Sequence, residues 1–293
     1  MSAQAPVIPP ADRGARLRDS GFRWLLIACL GASILVLGLL VQDVLRDGAG
    51  RLSLDLLTSF PSFNPERAGL ESALMGTIWL MVVCAAFIVP VGVASAVYLE
   101  EYADRDRWWN RMIEVNIQNL AAVPSIVYGI LGLAFLVRGP LSLGRVVLAG
   151  ALTLGLLVLP VVIIAGREAI RAVPPSIREG SLALGATQWQ TIWRQVLPAS
   201  IPGVATGVIL ALSRAIGETA PLILVGAATF VAFNPSGLDS GFTALPLQIF
   251  SWISQPQPEF KILAAAGILV LLALLMSMNA VAIWLRNRYE RKW

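Results

Sequence analysis

The chain alternates between long apolar runs and short polar connections. Six runs, at 24–41, 74–99, 117–137, 146–166, 203–230 and 262–285, are long enough to cross a hydrocarbon layer of about 30 Å, which takes about 20 helical residues. The pattern predicts an all-α membrane protein with six transmembrane helices. Its expected divisions are a cytoplasmic tail over 1–21, a first membrane helix over 22–41, a five-helix core over 70–285 and a cytoplasmic tail over 286–293. A cytoplasmic loop over 167–200 divides the core. The opening twenty residues are polar and rich in Pro and Ala, and no small-residue cleavage site follows the first run. That run therefore reads as a retained span, not a secretory signal.

Composition agrees with a membrane solvent. Of the 293 residues, 57% are hydrophobic and 14% charged, against about 45–50% and about 25% in soluble domains. The formal charge of +4 is small and its basic residues are spread between the apolar runs, which excludes a nucleic-acid-binding surface. With the N-terminus inside, 15 Lys and Arg fall in inside segments, 6 in outside loops and Arg214 within a run. Basic residues concentrate on the cytoplasmic side, so both termini are expected there. The chain has no His, and its two cysteines, Cys29 and Cys84, each lie in an apolar run. Imidazole catalysis, a His metal site and a disulfide framework are excluded, and both cysteines are expected as small buried residues. No placed nucleophile or metal cluster supports an enzyme.

Four runs contain a proline, at Pro90, Pro124, Pro160 and Pro221. Each deletes an N–H that would bond the carbonyl four residues back, and in lipid that carbonyl needs another partner. Ser125 and Tyr128 stand beside Pro124 and either line a path or satisfy the freed carbonyls, the second being preferred. Gly203 and Gly207 share a helix face and favour close helix packing. Arg214 and Glu218 lie in the fifth run, four apart and hence neighbours on a helix. An Arg at a membrane helix centre costs about 2.5–3.5 kcal/mol on insertion scales. It is kept when it pairs, faces a polar cavity, or both. Gly207 and Ala211 continue this stripe and are expected to leave room beside a pathway, and Pro221 to free the Gly217 carbonyl. A buried Arg–Glu pair that only fixes packing is the competing reading.

The 167–200 loop carries two helix-start signals. Ser176 and Glu179 have the S-x-x-E spacing of a capping box, and Thr187 and Gln190 the T-x-x-Q spacing. Gly185 is placed to end the first helix in a left-handed conformation. The second puts Trp189, Ile192, Trp193 and Val196 on one stripe, and Pro198 is expected to stop it. The residues alone fit an amphipathic hairpin on lipid headgroups or a docking element for a cytosolic partner equally well.

The loop also resembles the EAA segment of ABC importer permeases. Glu179, Gly185 and Leu197-Pro198 stand at that family's spacing, while Gly180-Ser181 replace its two alanines and Gln195 stands near an aliphatic position. Three further stretches resemble phosphate-specific permeases of the A type (PstA-like): 120–129 around Pro124, 213–222 with its Arg-x-x-Gly-Glu-Thr-Ala-Pro run, and 245–250. The resemblance covers most of the chain from about residue 70 onward.

It implies a type I ABC importer (MetI-like) bundle in the bacterial inner membrane, forming half of a translocation pathway. The ATPase would couple through Glu179, Ala183, Leu184, Gly185, Trp189, Leu197 and Pro198. The substrate path would use Arg214, Glu218, Thr219, Ser125 and Tyr128. In that scheme Arg214 attracts the anion through charge-assisted hydrogen bonds. Glu218 orients Arg214, keeps the anion from binding too tightly, and accepts a hydrogen bond from a protonated phosphate oxygen, which sulfate cannot offer. Implied partners are a second, C-type permease (PstC-type), two ATPase copies (PstB-type), an extracytoplasmic phosphate-binding protein (PstS-type) docking on the outer loop, and membrane lipid. The chain contains no G-x-x-x-x-G-K-[ST] run, so ATP and Mg are expected in the partner ATPase and no cofactor in this chain. Permeation of another oxyanion or of phosphonate remains open, as does ion-coupled secondary transport.

Overall fold

The computed structural model describes residues 13–289 except 105 and 229. Residues 1–12 and 290–293, expected in the two tails, lie outside the described residues. Twelve helices follow in order, with no strand among the described residues. They are α1 (Arg13–Gly48), α2 (Leu54–Thr58), α3 (Glu71–Val97), α4 (Trp108–Ala121), α5 (Ser125–Leu131), α6 (Val147–Arg171), α7 (Pro175–Ala183), α8 (Gln188–Thr191), α9 (Leu197–Ile216), α10 (Ala220–Val225), α11 (Leu245–Ile253) and α12 (Pro258–Tyr289). π-helical turns at Tyr98–Tyr102, Gly132–Val137 and Ile192–Val196 prolong α3 and α5 and join α8 to α9.

The core is the contact of α3, α6 and α9. Leu80, Cys84, Ile88, Leu154, Leu157, Val158 and Val162 are buried there. Apolar burial does little to drive helix association in lipid, where close van der Waals contact decides. Small residues supply that contact. A Cβ at Gly203 would stand 2.5 Å from the Ala169 Cβ, Gly207 meets Ala165 as closely, and Gly92 meets Val162. The small-residue reading of Gly203 and Gly207 is therefore correct. The reading of Gly207 and Ala211 as room beside a pathway is not: both are buried, and Gly207 packs against α6.

Five helices are long and apolar enough to cross a membrane, or six if a bent pair counts as one. The departures lie in the third and fifth predicted spans. α4 and the segment Ser125–Val137 meet at 107°, so 117–137 is no straight helix. Pro124 biases Val123 away from helical geometry and starts α5 as its N-cap. The carbonyl that Pro124 would have bonded belongs to Leu120, and the buried Tyr128 hydroxyl donates to it at 2.8 Å. The run 203–230 also breaks, after Ile216, and restarts at Ala220 with Pro221 in the first turn, where a missing N–H costs nothing. Pro221 thus opens a helix and does not kink one. Only Pro90 and Pro160 of the four lie inside helices.

α1 stands apart. No part of its apolar stretch is buried within this chain, and Cys29 is exposed there, contrary to expectation. Its end meets α12, where Gly48 abuts the Ala265–Ala266 backbone. At the opposite end from the Arg-rich loops, the connection between α10 and α11 packs onto α3 and α6. Phe242 is buried beside Gly150, and the backbone N–H groups of Val147 and Leu148 donate to the carbonyls of Ser240 and Leu238.

Candidate functional site: a charged break and an exposed hairpin

Arg214 occupies the last turn of α9 and Glu218 the break before α10. The Arg214 Nε lies 3.6 Å from a Glu218 carboxylate oxygen, too long for a hydrogen bond. The Arg214 side chain is 42% exposed and that of Glu218 19%. The pair is therefore close but not hydrogen-bonded, and within the single subunit it is partly open rather than fully buried. Beside it, the Ser213 hydroxyl donates to the Asn279 side-chain Oδ1 at 2.7 Å and ties α9 to α12. Asn279 carried no sequence signal beyond being polar in an apolar run.

α5 brings its residues to the same break. A Cβ at Gly129 would stand 2.7 Å from the Pro221 Cα, so glycine permits the two short helices to touch. Thr219, half-buried, precedes α10 as its N-cap and accepts the Ile223 N–H through its carbonyl. Of the expected path residues, Arg214, Glu218 and Thr219 gather in the break, and Ser125 starts α5. Tyr128 is committed to the Leu120 carbonyl.

The segment 167–200 forms a hairpin of α7 and the continuous helix Gln188–Ile216. α7 starts two residues earlier than the capping-box spacing predicts. Pro174 is the N-cap, Pro175 fills the first position, and Ser176 makes no cap; proline's fixed φ suits that first turn. α7 ends as expected. Gly185 adopts φ +82°, its N–H reaches the Leu182 carbonyl and that of Ala186 the Ser181 carbonyl, the paired bonds of a Schellman motif. The Thr187–Gln190 capping box is complete.

Pro198 does not stop the second helix. The π turn before it carries the Leu197 N–H back to the Ile192 carbonyl, so the ladder has already shifted register where the proline donor is missing. The stripe also divides: Ile192 and Val196 are buried, while Trp189 and Trp193 are 59% and 53% exposed and stack edge to face at 5.2 Å. Leu184 is 90% exposed and Leu182, Ala183 and Glu179 are exposed beside it. The hairpin therefore presents an apolar and aromatic face to its surroundings.

A cluster of ion pairs sits behind the hairpin. Glu100 binds Arg171 through two bonds of 3.0 and 3.1 Å and lies 3.6 Å from Arg167. Arg167 pairs with Glu114 at 3.0 Å, and Arg178 with Glu101 at 2.7 Å. None of Glu100, Glu101 and Glu114 was singled out from the sequence. An acidic pair at a span end expected to be basic was the available signal.

The family described as "Binding-protein-dependent transport system inner membrane component" matches residues 88–292. The probable ABC transporter permease protein YqgI of Bacillus subtilis is 31% identical over 91% of this chain and 94% of its own length. The phosphate transport system permease protein PstA 1 of Mycobacterium tuberculosis is 36% identical over 74% of this chain and 70% of its own. The PstA of Xylella fastidiosa is 33% identical over 84% and 85%. Two solved structures share the fold at low identity. The inward-facing MetNI methionine ABC transporter gives a TM-score of 0.61 at 16% identity over 76% of this chain and 96% of its own. A bacterial ABC transporter that imports the acidic polysaccharide alginate gives 0.59 at 17% over 93% and 98%. The chain belongs to the binding-protein-dependent transport system inner membrane components, the membrane-spanning permease subunits of ABC importers.

Proposed function

We propose that this permease carries inorganic phosphate, driven by ATP hydrolysis in a partner subunit. The observation that carries the reading is the Arg214 guanidinium, held 3.6 Å from Glu218 in a helix break and left 42% open on the surface of a single subunit. A half-pathway needs such a group: a cation left partly open where a second permease would close the space. Relatives named as phosphate transport system permeases support the choice of anion.

In this reading a PstC-type permease covers the Arg214 side, and two PstB-type ATPases use ATP and Mg. One of them meets Leu182, Leu184, Trp189 and Trp193, and Glu179 and Gly185 shape that face. A PstS-type binding protein delivers phosphate at the loop between α10 and α11, and both termini are cytoplasmic. Arg214 binds the anion, Thr219 and Ser125 offer hydroxyls along the path, and Tyr128 holds the bend that positions α5.

Stimulated ATP hydrolysis tests the substrate. The complex is reconstituted with its partner permease, ATPase and binding protein, and the binding protein is loaded with phosphate, sulfate or a phosphonate. Stimulation by the phosphate-loaded form alone is expected. Stimulation only by another oxyanion or by phosphonate would reassign the substrate within the same family.

A further inference from the structure

Glu101 is where both halves of the hairpin are fastened to the membrane core. Its carboxylate accepts the Arg178 Nε and Nη2 of α7, at 3.0 and 2.7 Å. Its backbone carbonyl accepts the Gln188 Nε2 of α8 at 2.7 Å. The same Arg178 guanidinium donates to the carbonyls of Val173 and Ile170, at 2.6 and 2.8 Å, and so closes the end of α6. The Ser181 and Thr191 hydroxyls, 2.9 Å apart, join the two hairpin helices to each other. The Glu101 and Arg178 side chains are largely buried, so water competes weakly for them.

Glu101 lies in the π turn that ends the continuous helix Glu71–Tyr102. The other end of that helix holds the opposite face of the protein. Thr77 Oγ1 accepts the Leu245 N–H at 2.9 Å, and Glu71 accepts the Asn234 amide at 2.6 Å. Thirty residues of helix separate Glu71 from Glu101, about 45 Å at 1.5 Å per residue. One continuous helix, with a ladder bond missing at Pro90, thus connects the cytoplasmic hairpin to the loop between α10 and α11.

We propose that the Arg178–Glu101 pair passes movement of the hairpin into this helix, making Glu101 and Arg178 positioning residues for switching access to the pathway. The inference rests on the reading of the hairpin as the ATPase contact. It adds that the motion enters the core at the end of α3, besides along α9. A hairpin joined to the core only by its own chain would reach α3 indirectly, through α6 and the Arg171–Glu100 pair; the Glu101 fastening adds a direct link to α3, whose far end holds the outer loop.

The test uses the assembled complex in proteoliposomes, with Cys29→Ser and a reporter Gly217→Cys, exposed in the break with room for a side chain, in this chain and reactive cysteines removed from the partners. Modification of the reporter by a charged thiol reagent is timed with and without ATP plus vanadate. Glu101→Gln keeps size and polarity while removing the charge; Arg178→Gln removes the charge and shortens the side chain, losing the Val173 and Ile170 bonds as well. In both, ATP hydrolysis should continue while the nucleotide-dependent change in labelling rate shrinks about fivefold or more, the span of ordinary coupling energies. The double variant should be no worse than the worse single, because one link is lost either way. A change of wild-type size, losses that multiply in the double variant, failure of the Glu101→Gln complex to assemble, or no nucleotide response in the wild type would each overturn the proposal. Leu184→Asp separates the underlying reading: if that complex binds its ATPase as the wild type does, the hairpin is not the contact, whatever the Glu101 variants do.

Discussion

Replacing Arg214 is the sharpest probe of the charged break. Its Nε faces Glu218 at 3.6 Å and the side chain is 42% exposed, so it is partly open to an anion. A planar fork can give an oxyanion two parallel bonds, and each hydrogen bond to a charged group contributes about 1.5–3 kcal/mol. Arg214→Lys keeps the charge and loses the second prong. One bond at the low end of that range, discounted for an open site, corresponds to roughly a tenfold loss of transport. Arg214→Gln removes charge and fork together and should lose about a hundredfold. The assay is initial uptake of labelled phosphate at matched amounts of assembled complex. Wild-type rates in Arg214→Lys would refute the bidentate argument and leave a simple electrostatic attraction. Wild-type rates in Arg214→Gln would remove Arg214 from the path.

Four further outcomes follow from the same geometry. Glu218→Gln should admit labelled sulfate as well as phosphate; retained phosphate uptake with no sulfate entry would end the selectivity argument. Leu184→Asp should weaken ATPase binding about tenfold or more in pull-down titrations, because burying a leucine contributes about 1.5–3 kcal/mol. Gly207→Val forces a side chain into Ala165 of α6; overpacking costs about 1–3 kcal/mol, so thermal unfolding in detergent should begin at lower temperature. Tyr128→Phe removes the hydroxyl bond to the Leu120 carbonyl, which keeps the Val123 N–H at 3.2 Å, at a cost of about 0.5–1.5 kcal/mol, and should lower stability together with transport, whereas a transport defect at unchanged stability would make Tyr128 a pathway ligand.

What could be read from the sequence was set by the range of the interactions involved. Apolar run length and local capping chemistry act within a few residues, so the all-α membrane class, the Thr187–Gln190 cap and the left-handed Gly185 were legible. The breaks at 122–124 and 217–219 were not, because hydropathy averages over a window and stays high through both. Pro198 misled because its interruption is absorbed by a π turn one step earlier. Gly207 and Ala211 misled because a stripe of small residues looks alike beside a pathway and beside another helix; only the position of Ala165 decides. The fastening of Arg178 to Glu101 joins residues 77 apart in the chain, and no local pattern announces such a pair. Arg214 and Glu218 were legible for the opposite reason: a charge among apolar residues stands out wherever the chain folds.

The most direct test of the central account is uptake of labelled phosphate into proteoliposomes holding this chain with its partner permease and ATPase, with the binding protein outside and ATP inside. Uptake that requires ATP, resists excess sulfate and collapses in Arg214→Gln is the predicted result; ATP-driven hydrolysis in an assembled complex that moves no phosphate would contradict it.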